Sequence, residues 1–293
     1  MLGTAAGGGL PQWNCACANC RLVRAGSLAA RLQSSVAVSG NGRDWHLVNA
    51  SPDVATQIER FIRPRLAPGD AARDTPVRSI FLTNADLDHT LGVFQLREGR
   101  PLEVTAPAPV RQSLERGLGL SEVVGAYAGL NWLAASGQWR QVDDTGLEVR
   151  AVPLEATGPP RYDVSAASGT HAVGYLFRNG GAAIGVFPDV AVLGATLIAE
   201  IEACERVWFD GTFWDEDELV RLGFSTRRAA DMGHVPISGE TGSLETLASL
   251  GNGRAAYLHI NNTNPILRPD SEERKRLESA NVRVAEDGGH FVI

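Results

Sequence analysis

The chain has 293 residues, 44% hydrophobic and 21% charged, with a formal net charge of −7 and a sequence pI near 5.4. That size suits one large α/β domain over residues 1–293, and no linker divides it. Nucleic acid is excluded as an expected partner because no long basic run is present, and a membrane span because no apolar stretch approaches ~20 residues.

Met1 to Gly9 carries no basic region followed by an apolar one, so it reads as mature chain rather than a secretory leader. Met1-Leu2 gives an opening strand almost nothing to pair. Strands are expected over residues 33–39 and 45–49, about an Asn41-Gly42 turn. Ser51-Pro52-Asp53 signals a helix over 54–61. A loop rich in Pro, Gly and Asp fills 63–75, and a buried strand runs over 77–83. A strand at 102–105 and a helix at 108–116 precede an irregular stretch, 117–137, read as an insertion near a site mouth. An alternating strand covers 147–154. Residues 173–177 and 182–186 form a hairpin across Asn179-Gly180-Gly181. A helix at 192–203 leads to a strand at 207–209 ending in Asp210-Gly211-Thr212. Then come a helix at 241–250, a buried strand at 255–260, a helix at 271–279, a strand at 282–284 and a final short C-terminal strand. Strand-rich halves with flanking helices predict two sheets packed face to face.

Residues 83–92 read Thr-Asn-Ala-Asp-Leu-Asp-His-Thr-Leu-Gly. Asp88 and His89 stand where a strand turns into a loop, and carboxylate plus imidazole suits a borderline divalent metal. The plain alternative is a capping Asp beside a solvent His. His259 ends an apolar strand before a polar turn, as a metal ligand or as a buried His satisfied by the backbone. Asp189, in Phe187-Pro188-Asp189, is an added ligand, a second-layer orienter or a turn residue. His234 lies in a loop as a general acid/base or substrate contact, unless it is a surface His; Asp210 could pair with it and fix its tautomer. Cys15, Cys17 and Cys20 crowd within six residues, a spacing that wraps one Zn²⁺ with a fourth ligand from elsewhere, for which Asn262 is the candidate. Such clustering suits a metal and a reducing, cytoplasmic compartment rather than disulfides. Cys204 reads as core. His46, His171 and His290 receive no role.

Residues 83–92 resemble the metallo-β-lactamase superfamily signature Thr-His-x-His-x-Asp-His-x-x-Gly. Asn84 and Asp86 replace its leading His pair, while Asp88, His89 and Gly92 match. The superfamily's middle His would fall near Glu155-Ala156-Thr157, where none stands. By the same resemblance His259 is the last ligand and Asp189 holds the place of the bridging Asp. The surviving set, Asp88, His89 and His259, is two His and a carboxylate, the composition of mononuclear non-heme Fe(II) oxygenases. Asp86 remains as a carboxylate lining that pocket.

Longer stretches are similar to the family of pyrroloquinoline quinone biosynthesis protein B. They are Gly3 to Cys15, Gln33-Ser34-Ser35, Asn49-Ala50-Ser51-Pro52-Asp53, Leu96-Arg97-Glu98-Gly99, Asp210-Gly211-Thr212, Met232-Gly233-His234 and His259 to Pro265. The resemblance implies an αββα metallo-β-lactamase-like sandwich of two mixed sheets with outer helices. It also implies a structural zinc on the Cys cluster and an iron-dependent hydroxylase of the tyrosine ring in a Glu-Tyr unit from a precursor peptide. O₂ and an external reductant would be cosubstrates, since no flavin or nicotinamide fingerprint is present. A homodimer is allowed for. The competing expectations are a binuclear hydrolase, phosphodiesterase or lactonase, and a non-enzymatic quinone carrier. The short N-terminus departs from the family and is expected to loosen the opening strand.

Overall fold

Alternating and continuous apolar runs sort the chain into two layers of strand. The structure is a computed structural model that describes residues 1–65, 75–155, 158–163 and 168–292. The first sheet holds β1 (Val36–Val38), β2 (Trp45–Val48), β3 (Val77–Phe81), β4 (Leu102–Ala106) and β5 (Leu130–Ala134), in that order. β1 runs antiparallel to β2, and the other pairs are parallel. The second sheet holds β6 (Arg140–Gln141), β7 (Leu147–Pro153), β8 (Val173–Asn179), β9 (Ala183–Phe187), β10 (Cys204–Asp210), β11 (Ala255–Leu258) and β12 (Arg283–Val284). It is antiparallel from β6 to β9 and parallel from β9 to β12. The expected two mixed sheets are therefore formed.

The sheets meet through Val36, Val48 and Phe81 on one side and Val149, Tyr175, Phe177 and Val186 on the other. Phe81 lies edge-on to Tyr175 and to Phe177, with ring centroids 5.4 Å away in both cases. Helices cover the outer faces. Val54, Val110, Leu114 and Val124 pack on Leu47, Ile80 and Val104, while Leu197, Ile201, Leu247 and Leu277 pack on Val207, Phe209 and Tyr257. The inner strands are buried on both faces, which is why β11 is apolar at every position rather than alternating. Among the described residues no helix is long and apolar enough to cross a membrane.

Several expectations are corrected. Residues 117–137 are not an irregular insertion at the cleft: they carry a helix, Leu120–Gly125, and the edge strand β5. The expected C-terminal strand is absent from the described residues; the Phe291 ring instead sits 5.3 Å from that of Trp208. The N-terminal segment is not loose. Leu2 is buried, Leu2 N–H donates to Ser35 O at 2.9 Å, and Ala5 bridges both Gln33 and Ile260. Backbone partners take the place of the strand that Met1-Leu2 could not build. The helix from Val54 becomes a wider turn at Ile58–Ile62, and helices Ala18–Arg24 and Glu218–Arg221 were not expected. Most of the 63–75 loop, and Ala156 and Thr157, lie outside the described residues.

Candidate metal centre and cleft

The chemistry-bearing side chains gather at the carboxyl ends of strands. Asn84 and Asp86 follow β3, Asp189 follows β9, Asp210 ends β10, and His259 follows β11. Parallel strands bring such ends to one edge, where open α/β sheets place their ligands. Asp88 and His89 lie not in a loop but in a short helix, Leu87–Thr90, with Asp86 in extended backbone as its N-cap. One helical turn sets both side chains of the pair toward the sheet edge. His259 has a φ of 54°, a left-handed conformation that costs a β-substituted residue energy and turns its ring into the cleft.

Asp88, His89 and His259 offer ligand atoms all within 4.8 Å of one another, and so do Asp189, His234 and His259. His259 Nε2 lies 3.2 Å from Asp88 Oδ2 and 3.6 Å from Asp189 Oδ1. His89 Nδ1 lies 3.4 Å from Asp189 Oδ2, and its Nε2 is buried with no hydrogen-bond partner. A buried polar atom without a partner is costly, and a cation facing it removes that cost. The charges are arranged for one as well. Burial alone would lower the His259 pKa, yet Asp189, then Asp88, raise it to about 10. Burial would likewise raise Asp88, but His89 and His259 hold it well below the usual carboxylate range. Asp86 is pushed upward by burial and then by Asp189 and Asp88. These residues fit a divalent ion.

Supporting contacts fix the rings. Asp210, fully buried, accepts from His234 Nδ1 at 2.7 Å, so the structure brings together the two residues whose pairing the sequence allowed. It also accepts from Thr212 Oγ1 at 2.6 Å, and Thr212 Oγ1 lies 2.9 Å from His259 Nδ1. One carboxylate thus orients two imidazoles, leaving the Nε2 of each toward the cleft. Burial lowers the basicity of His234, and Asp210 more than restores it, so its pKa is raised. On the other wall, Asn49 Nδ2 and Thr83 Oγ1 lie 3.0 and 3.2 Å from His89 Nδ1. Asn84 donates to Asp189 Oδ2 at 3.2 Å, which gives the residue in the first missing His position a holding role. Sequence reading missed Asn49, Thr83 and Thr212. Asn49 and Thr212 lay within stretches singled out only by family resemblance.

The structure brings the three thiols and Asn262 together, but it is the Asn262 amide nitrogen, a donor and not a metal ligand, that faces them. Cys15, Cys17 and Cys20 sulfurs lie within 4.8 Å of one another, and Asn262 Nδ2 lies 3.1, 3.5 and 3.3 Å from them in that order. Zn–S bonds of about 2.3 Å put tetrahedral sulfurs roughly 3.8 Å apart, a spacing that lies inside the 4.8 Å limit of this cluster. Burial pushes the Cys17 thiol up to about 11. At Cys15 burial also raises, but hydrogen bonds from Cys17, Cys20 and Asn262 outweigh it and lower the pKa. Cys204 is buried core, as expected, with its thiol pushed by burial up to about 12. His46 is tied at 2.8 Å to both Ser79 and Asp143, across the two sheets.

Both clusters border one cleft of about 1100 Å³, lined among others by Asp86, Asp88, His234, Cys15 and Asn262. The model of the beta-lactamase superfamily domain matches residues 44–260. The chain is 39% identical to a coenzyme PQQ synthesis protein B of Nitrosococcus oceani, covering 100% of this chain and 99% of the relative. To that of an Azoarcus species it is 41% identical, covering 98% and 97%. A crystal structure of Zn²⁺-bound PqqB from Methylobacterium extorquens superposes with a TM-score of 0.89 at 36% identity, over 100% of this chain and 98% of that one. A diphosphatase of the PhnP family shares the fold alone, with a TM-score of 0.67 at 17% identity, over 100% and 96%.

Proposed function

The chain belongs to the coenzyme PQQ synthesis protein B family of the metallo-β-lactamase superfamily, and on that premise we propose that it is an iron-dependent hydroxylase. Its substrate in this reading is the tyrosine ring of a peptide-derived Glu-Tyr unit. The observation that carries the proposal is that both histidine-containing groupings draw on His259. Its Nδ1 faces Thr212, so Nε2 alone is available, and one nitrogen serves one ion. Two imidazoles with carboxylates around a single ion is the ligand chemistry of mononuclear iron sites. A second ion would need ligands at positions 84 and 86. There the chain offers an amide already donating to Asp189 and one carboxylate, which weakens the hydrolase reading.

Asp88, His89 and His259 would hold the iron, with Asp189 as a further carboxylate beside them. Iron there supplies the activation of dioxygen, with electrons from an external reductant. One oxygen atom enters the ring, the other leaves as water, and the reductant supplies two electrons. His234, its Nδ1 proton donated to Asp210, presents Nε2 to accept the phenol proton. Asp86, which keeps its proton more readily than an ordinary aspartate, can hydrogen-bond a ligand oxygen. Phe213 lies edge-on to His234 with ring centroids 5.8 Å apart and gives that side of the cleft an apolar wall. Cys15, Cys17 and Cys20, capped by the Asn262 amide, would hold a structural zinc, in keeping with the zinc-bound relative.

The test is anaerobic loading with iron, then addition of glutamyl-tyrosine, O₂ and ascorbate. A catechol product is expected with iron, none with zinc, and none from His259→Ala. Equal product from the zinc-loaded protein overturns the reading.

A further inference from the structure

Two guanidinium groups in the cleft have no part in the scheme above. Arg161 and Arg227 are the lining residues with a permanent positive charge, among Asp86, Asp88, Asp189 and Asp231. Neighbouring arginines are neutralised: Arg228 pairs with Asp217 at 3.0 Å, and Arg221 with Asp215. Among the described residues no carboxylate pairs with Arg161 or Arg227. Arg227 instead donates to the main-chain carbonyl of Asp231. A carbonyl orients a guanidinium without cancelling its charge, and the remaining donors of the planar fork stay free. The same turn is closed by Arg228 N–H to Asp231 Oδ2 at 2.9 Å and by His234 N–H to Ala229 O at 3.1 Å. Arg227 is thereby set at a fixed place relative to His234.

The volume points the same way. About 1100 Å³ lies just above the usual range for small-molecule sites, roughly 300–1,000 Å³, and exceeds what one phenol ring fills. Phe213 and Phe224 add apolar wall for a ring. We propose that Arg227 forms a carboxylate-binding subsite that anchors an acidic, tyrosine-bearing peptide unit while its ring faces Asp88, His89 and His259, with Arg161 a second positive charge on the same cleft. The orientation of the ring rests on the hydroxylase reading; the anion subsite does not.

The test is calorimetric titration of the zinc-loaded protein, which separates binding from oxygen chemistry. The probes are glutamyl-tyrosine and its analogue with every carboxylate converted to amide. Arg227→Gln is expected to weaken the dipeptide by about tenfold or more and to leave the amide unchanged. Arg227→Lys should recover part of the loss, and Arg161→Gln should add a further one. Arg228→Gln, outside the cleft, should match the wild type. Unchanged dipeptide affinity in Arg227→Gln, equal loss of both probes, or no saturable dipeptide binding by the wild type overturns the proposal. A dipeptide held through Arg227 yet not hydroxylated with iron would instead sink the hydroxylase reading and leave the subsite standing.

Discussion

Asp210→Asn probes the link between fold and metal centre. Asp210 Oδ2 accepts from Val190 N–H at 2.9 Å and His234 Nδ1 at 2.7 Å; Oδ1 accepts from Thr212 N–H at 2.9 Å and Thr212 Oγ1 at 2.6 Å. Asparagine has the same shape, but one end becomes an amino group facing two donors. Loss of two hydrogen bonds to a charged, buried acceptor, at ~1.5–3 kcal/mol each, destabilises by about 3–6 kcal/mol. A second effect follows through Thr212. Its hydroxyl, released from the carboxylate, can donate to His259 Nδ1 and force the proton onto Nε2, where the ion must bind. Metal affinity should fall by roughly 10–100-fold. Urea denaturation of the metal-free protein reads the first effect, and competition with a chromophoric chelator reads the second. His234 and the other donors hold the Asp210 pKa below its usual value despite burial. That stabilisation is present above the unfolded pKa and lost as pH falls through the folded one, so the gap between wild type and variant should narrow in acid. A destabilised variant that binds metal within about threefold of the wild type would refute the Thr212 relay.

Gly92→Ala should lower stability by about 1–3 kcal/mol, because a Cβ there presses on Ser51 O and lies 2.7 Å from Ala50 O. An unchanged melting temperature would count against that close approach as the reason for the glycine. Cys17→Ser should remove one equivalent of zinc by elemental analysis and leave iron in place; loss of both metals would contradict separate sites. Burial pushes the Glu218 carboxyl up to about 7, against donors at Thr263 and Trp214. A raised carboxyl stabilises the fold fully below its unfolded pKa, and that contribution, about 3 kcal/mol, is lost as pH rises through 7. Glu218→Gln should flatten urea midpoints between pH 5 and 8; an unchanged slope would place the titration elsewhere.

The two-sheet architecture could be read from the chain because its strands are either alternating or continuously apolar. Asp88 and His89 stood out because they are adjacent, and His259 because a buried strand stops there. The orienting residues did not. Asn49 acts on His89 across 40 positions and Thr212 on His259 across 47, and contacts at that separation leave no periodic trace. Strand β5 was hidden by its half-exposed pattern, in which no residue is fully buried. The C-terminal strand was read from apolar residues that the structure leaves exposed, Phe291 and Val292.

His259 and Asn262 each serve a different cluster, and their partners lie far upstream. Asn262 is 247 positions from Cys15, and His259 is 171 from Asp88. At about 5–20 residues per second, a ribosome leaves the three thiols waiting roughly 12–50 s before Asn262 exists. Neither cluster is complete on a half-made chain. During that interval the nascent thiols lack the partner that encloses them in the finished fold, so they are open to oxidation for as long as the C-terminal strands are unmade.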